Sequence, residues 1–406
     1  MPGQSLLSPT RQRVHYNALR TNETTPLIIP GTFPDATQAS EPSWAQSLYI
    51  ISRSSPINAL LLFVPLGLAA GFFEWSGSLV FMFNFLALMP LAKLLGYATE
   101  EISLKVGQTI GALLNCTFGN LVELILSVLA LKAGLIRVVQ ASLLGSILSN
   151  MLLVLGFCFY CGGWFYHIQQ FNVVAAQTAA SLLSIVVFSM IIPAAFLQQV
   201  VSVPESAQLV LDLSRGTAIV LLVIYILYLY FQLKTHADLY EGDDEDEPAS
   251  IKFPAAVALL VVVTLLIAGC AEYLVESIEF ISKDWKLNQT FVGLILLPIV
   301  GNAAEHVTAV TAAVKNKMDL SLGVAIGSSM QIALFVTPIC VLAGWLIDQP
   351  MSLSFNILET AVIFVSIYVV NSLISDGKSN WLEGAMLLGA YIVISIAFWF
   401  LPMTLE

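Results

Sequence analysis

From residue 57 onward the chain alternates long apolar runs with short polar breaks, and the runs set the expected architecture. Each run is long enough to cross about 30 Å of hydrocarbon as an α-helix. The runs fall near 57–74, 77–97, 110–131, 139–162, 171–195, 216–234, 253–280, 289–314, 321–346, 354–375 and 381–402, which predicts about eleven spans. Residues 1–55 carry no such run and read as a disordered cytosolic tail. The expected layout follows: an extra membrane helix at 56–75, a first unit at 76–235, a cytosolic acidic loop at 236–252 and a second unit at 253–406.

The second unit repeats the first at a fixed offset. Gly119-Asn120-Leu-Val-Glu123 matches Gly301-Asn302-Ala-Ala-Glu305, and 305 − 123 = 182. Gly145-Ser146 matches Gly327-Ser328, and Gly111 matches Gly293, with the same spacing of 182. After the first helix the chain therefore reads as two five-helix copies. An odd number of spans per copy forces the copies into opposite membrane orientations, the inverted-repeat plan of secondary transporters with a site near the midplane. The fold class expected is an all-α polytopic membrane protein of one N-terminal helix plus two inverted five-helix repeats.

Composition agrees. Of 406 residues, 58% are hydrophobic and 11% charged, against about 25% charged in an ordinary soluble domain. The net charge of −11 comes largely from one acidic loop, and suggests no nucleic-acid partner. Five cysteines, mostly within apolar runs, imply no disulfide framework. Cys158-Phe-Tyr-Cys161 has CxxC spacing but no second pair and no redox context. No cleavable signal peptide is apparent. Lys and Arg number eleven on one side and five on the other when the N-terminus is placed in the cytosol. That orientation puts Glu406 on the opposite face.

The chemistry lies in the repeats. Glu123 and Glu305 sit deep in apolar helices, where an unpaired carboxylate costs at least about 3 kcal/mol on insertion scales. Such a group persists when it faces a polar cavity, holds a cation or takes a proton. Glycine four residues before each Glu is expected to loosen the helix and expose carbonyls, and Asn120 and Asn302 add amide oxygens. Carboxylate plus carbonyl oxygen is the ligand set of a hard cation such as Ca2+. Helix–helix hydrogen bonding is the rival role for the two asparagines, and close packing the rival for Ser146 and Ser328. His306 is placed either to relay protons or to hydrogen-bond within the bundle. No G-x-x-x-x-G-K-[ST] motif indicates an ATP-driven engine, and neither H-E-x-x-H nor G-x-S-x-G supports an intramembrane hydrolase. No enzymatic activity and no resident cofactor are expected.

Several stretches resemble the calcium/cation–proton exchanger family, in particular its fungal vacuolar members. They are Ala98-Thr-Glu-Glu101, Asn115-Cys-Thr-Phe-Gly-Asn-Leu-Val-Glu-Leu124, Gln140-Ala-Ser-Leu-Leu-Gly-Ser146, Pro298-Ile-Val-Gly-Asn-Ala-Ala-Glu-His306 and Gly327-Ser-Ser-Met-Gln331. Leu121 departs from the family, which usually has Ala there. The resemblance implies that Glu123 and Glu305 alternate between Ca2+ and protons, with Asn302 and nearby carbonyls completing the ion's shell. It implies further that Gln140 and Gln331 line the path and that Glu100 stands at the cytosolic mouth. The acidic run, Glu241 with Asp243, Asp244, Glu245, Asp246 and Glu247, is implied to hold Ca2+ at that mouth; as bare sequence it is equally a solvated linker. The expected activity is exchange of luminal protons for cytosolic Ca2+ across a vacuolar membrane. Mn2+ as an alternative cargo, Na+ coupling and self-association into a homo-oligomer stay open. Glu23-Thr-Thr-Pro-Leu-Ile28 fits an acidic dileucine sorting signal suited to that route.

Overall fold

The computed structural model describes residues 43–237 and 249–402. The acidic run, the dileucine-like motif and Glu406 lie outside the described residues. Fourteen helices organise the described chain: α1 Trp44–Arg53, α2 Pro56–Phe72, α3 Gly77–Val106, α4 Gln108–Phe118, α5 Leu121–Lys132, α6 Ile136–Phe165, α7 Val173–Val200, α8 Ser206–Thr235, α9 Phe253–Asp284, α10 Gln289–Gly301, α11 Ala303–Val314, α12 Met318–Leu346, α13 Ile357–Asp376 and α14 Trp381–Trp399. Nine described helices are long and apolar enough to cross a membrane, or up to eleven when each bent pair counts as one span.

Polar caps set where the helices start. The side chains of Asn172, Asn288, Asn356 and Asn380 each accept from backbone N–H groups in the first turns of α7, α10, α13 and α14. Glu359 and Glu383 return the bond to the backbone of Asn356 and Asn380 and close two capping boxes. Gly107, at φ +88°, makes the reversal between α3 and α4 that a Cβ would strain.

One expectation is corrected here. Residues 44–53 lie in the stretch read as tail, yet they form helix α1, capped by Ser43 and Gln46 in a reciprocal pair. Ten residues are too few to hold a helix alone. Docking does it: Ile50 and Ile51 pack on Ile102, Ile251 and Ala256.

The repeat is visible in the helix ends. α5 and α11 start and stop at matched positions, since 303 − 121 = 182 and 314 − 132 = 182. α6 and α12 start 182 apart, and each carries a wide-turn π stretch ending at Val154 and Val336, again 182 apart. In α12 that stretch runs up to Thr337-Pro338, where a proline cannot supply the usual N–H.

The connections gather into two sets. Gln169, after α6, donates to the Asn316 side chain before α12, and Gln169–Gln170 pairs antiparallel with Lys378–Ser379 before α14. The other set joins Arg137 of α6 to Glu359 of α13 at 2.8 Å, and Trp285 after α9 to Ser78 at the start of α3 at 3.1 Å. Short up-and-down crossings between two faces produce this sorting.

Candidate ion site

The site forms where two interrupted helices meet the other half's continuous helix. Between α4 and α5 the chain leaves helical geometry at Asn120 (φ −106°, ψ 24°), and between α10 and α11 at Asn302 (φ −88°, ψ 6°), with a 60° bend. The interruption thus falls on the asparagines and not on the preceding glycines; Gly119 keeps helical angles (φ −57°, ψ −41°). Asparagine tolerates this sparse backbone region. The glycine serves a steric purpose instead: a Cβ on Gly301 would lie 2.6 Å from Glu123 Oε1, so the carboxylate of one repeat rests on the bare backbone of the other.

Each interruption pairs across the repeats. Asn120 Nδ2 donates to Gln331 Oε1 at 2.5 Å, and Ser328 Oγ donates to Asn120 Oδ1 at 3.1 Å. Asn302 Nδ2 donates to the Ser146 carbonyl at 3.4 Å. Glu123 and Glu305 stand in the first turns of α5 and α11, where the helix N-termini favour negative charge. Glu123 is buried and Glu305 half-buried. Asn150, overlooked in the sequence, donates to Glu305 Oε2 at 3.2 Å and to Ser328 Oγ at 3.0 Å. A polar Ser149-Asn150 pair one turn after Ser146 in an apolar helix was the available signal. His306 Nε2 lies 3.3 Å from Ser149 Oγ, so the bundle-bonding role is the one seen.

Three buried oxygens in this network have no hydrogen-bond partner: Glu123 Oε2, Asn150 Oδ1 and Asn302 Oδ1. A buried acceptor left unpaired costs about 1–3 kcal/mol, so each of the three favours an electron-poor partner, a proton donor or a cation. The donor set is hard oxygen throughout, which suits Ca2+ and also admits Mn2+. Among the described residues no group of three or more His, Cys, Asp or Glu is assembled. Two carboxylates with neutral oxygens give a site of low charge count, suited to release as well as capture.

Other expected residues fall elsewhere. Gln140 accepts from Arg137 at 2.8 Å and donates to the Ser352 carbonyl at 2.9 Å, fastening the α12–α13 loop beside the Arg137–Glu359 pair. Glu100 is exposed near the C-terminal end of α3. Its neighbour Glu101 is buried and accepts from the backbone N–H groups of Ser250 and Ile251 at 2.8 and 3.1 Å. Glu101 shares a helix face with buried Leu94, Leu95 and Ala98, a spacing readable in the sequence. Lys93 donates from within α3 to Thr308 Oγ1, one turn beyond Glu305, at 3.2 Å.

The two approaches to the site differ. Gly145 of α6 lies so close to Leu294 of α10 that a Cβ would strike its carbonyl, and a Cβ on Gly293 would come within 2.9 Å of Ala141 Cβ. Only about 10 Å³ of space remains there beside Glu123, lined by Ser127, Ser142, Ser146 and Pro298 among others. On α12, Gly327, the repeat mate of Gly145, and Gly323 one turn before it meet nothing within 4 Å among the described residues. α4 leans instead on α3, where Ser103 Oγ sits 3.0 Å from both the Gly111 carbonyl and Asn115 Oδ1. Among the described residues the molecule is sealed between α6 and α10 and parted between the outer turns of α4 and α12, which come together nearer the site, where Gln331 Nε2 donates to Cys116 Sγ at 3.5 Å.

Known proteins place this architecture. The chain is 49% identical over 356 residues to a vacuolar calcium ion transporter of Schizosaccharomyces pombe, covering 87% of this chain and 86% of the relative. It is 45% identical over 373 residues to a Ca(2+)/H(+) antiporter of Aphanothece halophytica, covering 88% and 100%. The solved structure of native YfkE superposes with a TM-score of 0.75 at 35% identity, covering 86% of this chain and all of that one. The family model described as sodium/calcium exchanger protein matches twice, at residues 76–234 and 255–400, once on each repeat, and the chain belongs to that family.

Proposed function

We propose that the protein is a secondary active antiporter that exchanges protons for cytosolic Ca2+, loading Ca2+ into an acidic organelle by alternating access. The observation that carries this reading is the set of unpartnered buried oxygens, Glu123 Oε2, Asn150 Oδ1 and Asn302 Oδ1, at the crossing of the interrupted helices. Relatives named vacuolar calcium ion transporter and Ca(2+)/H(+) antiporter support the cargo, the coupling ion and a vacuolar membrane.

The residues act as follows. Glu123 and Glu305 take either protons or Ca2+. An ionised carboxylate away from water needs a counter-charge, so Ca2+ binding expels the protons and protonation expels Ca2+. Asn150 and Ser328 hold Glu305 in place, and Gly301 leaves Glu123 room to reach the same ion. The parted side lies at the end of the molecule where Glu101 grips Ser250 and Ile251, just past the acidic run. With the N-terminus cytosolic, that mouth faces the cytosol. Each pH unit across the membrane supplies about 1.36 kcal/mol per proton. Membrane potential adds about 2.3 kcal/mol per net charge per 100 mV.

The test is Ca2+ uptake by vesicles containing the purified protein. Uptake should follow an imposed acidic interior and stop when the pH difference is collapsed. Uptake driven by a Na+ gradient and indifferent to pH would reject proton coupling. A second expected result concerns the acidic run. Neutralising Asp243, Asp244, Glu245, Asp246 and Glu247 together should shift the apparent Ca2+ affinity and leave the maximal exchange rate in place. An unchanged Ca2+ dependence in the same vesicles reduces the segment to a linker.

A further inference from the structure

Helix α1 has three faces. Its inner face carries Ser47, fully buried, with Ile50 and Ile51 seated on Ile102, Ile251 and Ala256. Its second face presents Trp44 and Leu48, one helical turn apart and 54% and 65% exposed, with Tyr49 farther round at 59%. Its third face carries Gln46 and Arg53, and the Arg53 guanidinium lies 5.1 Å from the Tyr49 ring centroid. The direction of the helix is fixed as well. α1 and α2 meet at 98° across Ser54 and Ser55, and Asn58 Nδ2 locks the corner by donating to the Ile51 carbonyl at 3.0 Å.

We propose that α1 is an interfacial helix that lies flat on the bilayer, with Trp44 and Leu48 in the boundary between headgroups and acyl chains. The geometry leads there directly. α2 is apolar along its length, with Leu62, Phe72 and Phe73 facing outward, so it stands in lipid. A helix at 98° to it runs in the membrane plane, at the level where α2 begins. On such a helix the face beside the protein meets either water or lipid. Tryptophan and leucine on that face, with glutamine and the Tyr49-stacked arginine opposite, is the distribution of an in-plane amphipathic helix. α1 is therefore held from two sides, by the bundle and by the bilayer. What it holds in turn is the segment just past the acidic run: Ser47 Oγ accepts from Lys252 N at 3.5 Å, and Leu114 of α4 packs on the same cluster.

The experiment uses the full chain with its five native cysteines replaced and one cysteine introduced, either Leu48→Cys or Arg53→Cys. Each carries an environment-sensitive fluorophore and is reconstituted in phosphatidylcholine vesicles. Quenching by a lipid bearing a nitroxide at acyl carbon 5 is compared with quenching by aqueous iodide. Position 48 should be quenched by the lipid nitroxide several-fold more strongly than position 53, with the iodide order reversed. Equal iodide quenching at both positions overturns the proposal, since α1 then lies in water. Protection of position 48 from both quenchers also overturns it, because a protein partner or a second copy then covers the face. If Leu48→Cys does not fold, Trp44→Cys reads the same face.

Discussion

Glu123→Gln and Glu305→Gln should each abolish Ca2+ transport driven by a pH gradient while the protein still inserts and folds. Glutamine keeps the volume and the hydrogen bonding but cannot ionise, so the competition between proton and Ca2+ is lost at that position. Removing one charge forfeits the favourable contact with a helix N-terminus but relieves repulsion between the two carboxylates, so the thermal stability of the solubilised variants should change little. Glu→Asp pulls the ligand back by one methylene, and should hurt Glu123 more than Glu305. Glu123 reaches across to Gly301 unaided, whereas Glu305 is met by Asn150. Glu205→Gln, outside both interrupted helices, serves as the near-neutral control. Wild-type uptake by either Gln variant at matched expression would sink the mechanism.

Gly145→Ala and Gly327→Ala should move the protein in opposite directions although the residues are repeat mates. A methyl at 145 strikes the backbone of Leu294 and destabilises the seal now present. A methyl at 327 meets nothing among the described residues, so its cost falls on the state in which α4 leaves α3 and closes on α12. Overpacking of this kind costs about 1–3 kcal/mol. That corresponds to shifts of about 5- to 150-fold in the balance between the two states. A cysteine at Ser142, in the small space beside Glu123, reports the change through its reaction with a membrane-impermeant thiol reagent. Its labelling should rise in Gly145→Ala and also rise, through loss of the opposite closure's competitor, if the seal alone is weakened by Gly293→Ala. In Gly327→Ala it should fall below wild type. Parallel changes in Gly145→Ala and Gly327→Ala would show that the two glycines do not act on one equilibrium.

Much of this was legible in the chain because the repeat writes it twice. A carboxylate in an apolar helix is ambiguous once, but Glu123 and Glu305 beside Gly-Asn at a constant offset leave little else to read. The long helices were equally plain, since apolar runs of that length have few alternatives. The failures share a physical cause. Gly301 looks the same in sequence whether it bends a helix or makes room for a carboxylate 2.6 Å from its missing Cβ. Gln140 is a polar residue among small ones, and only the loop carbonyl at Ser352 reveals that it fastens the frame. α1 escaped notice because the residues that stabilise it, Ile251 and Lys252, lie some 200 positions away. Asn150 has no polar mate, since position 332 is isoleucine, so the repeat that exposed the other candidate site residues concealed this one.

The small space beside Glu123 sets the fidelity of exchange. Its volume of about 10 Å³ is about what a single water needs, whereas Ca2+ travels with a shell of six to eight oxygens. A Ca2+ ion carrying any of that shell would not fit through the sealed side, so steric exclusion opposes leak in addition to the grip of the ligands. A weak site can then be a faithful one, releasing its cargo quickly on the proper side without letting the accumulated gradient run back.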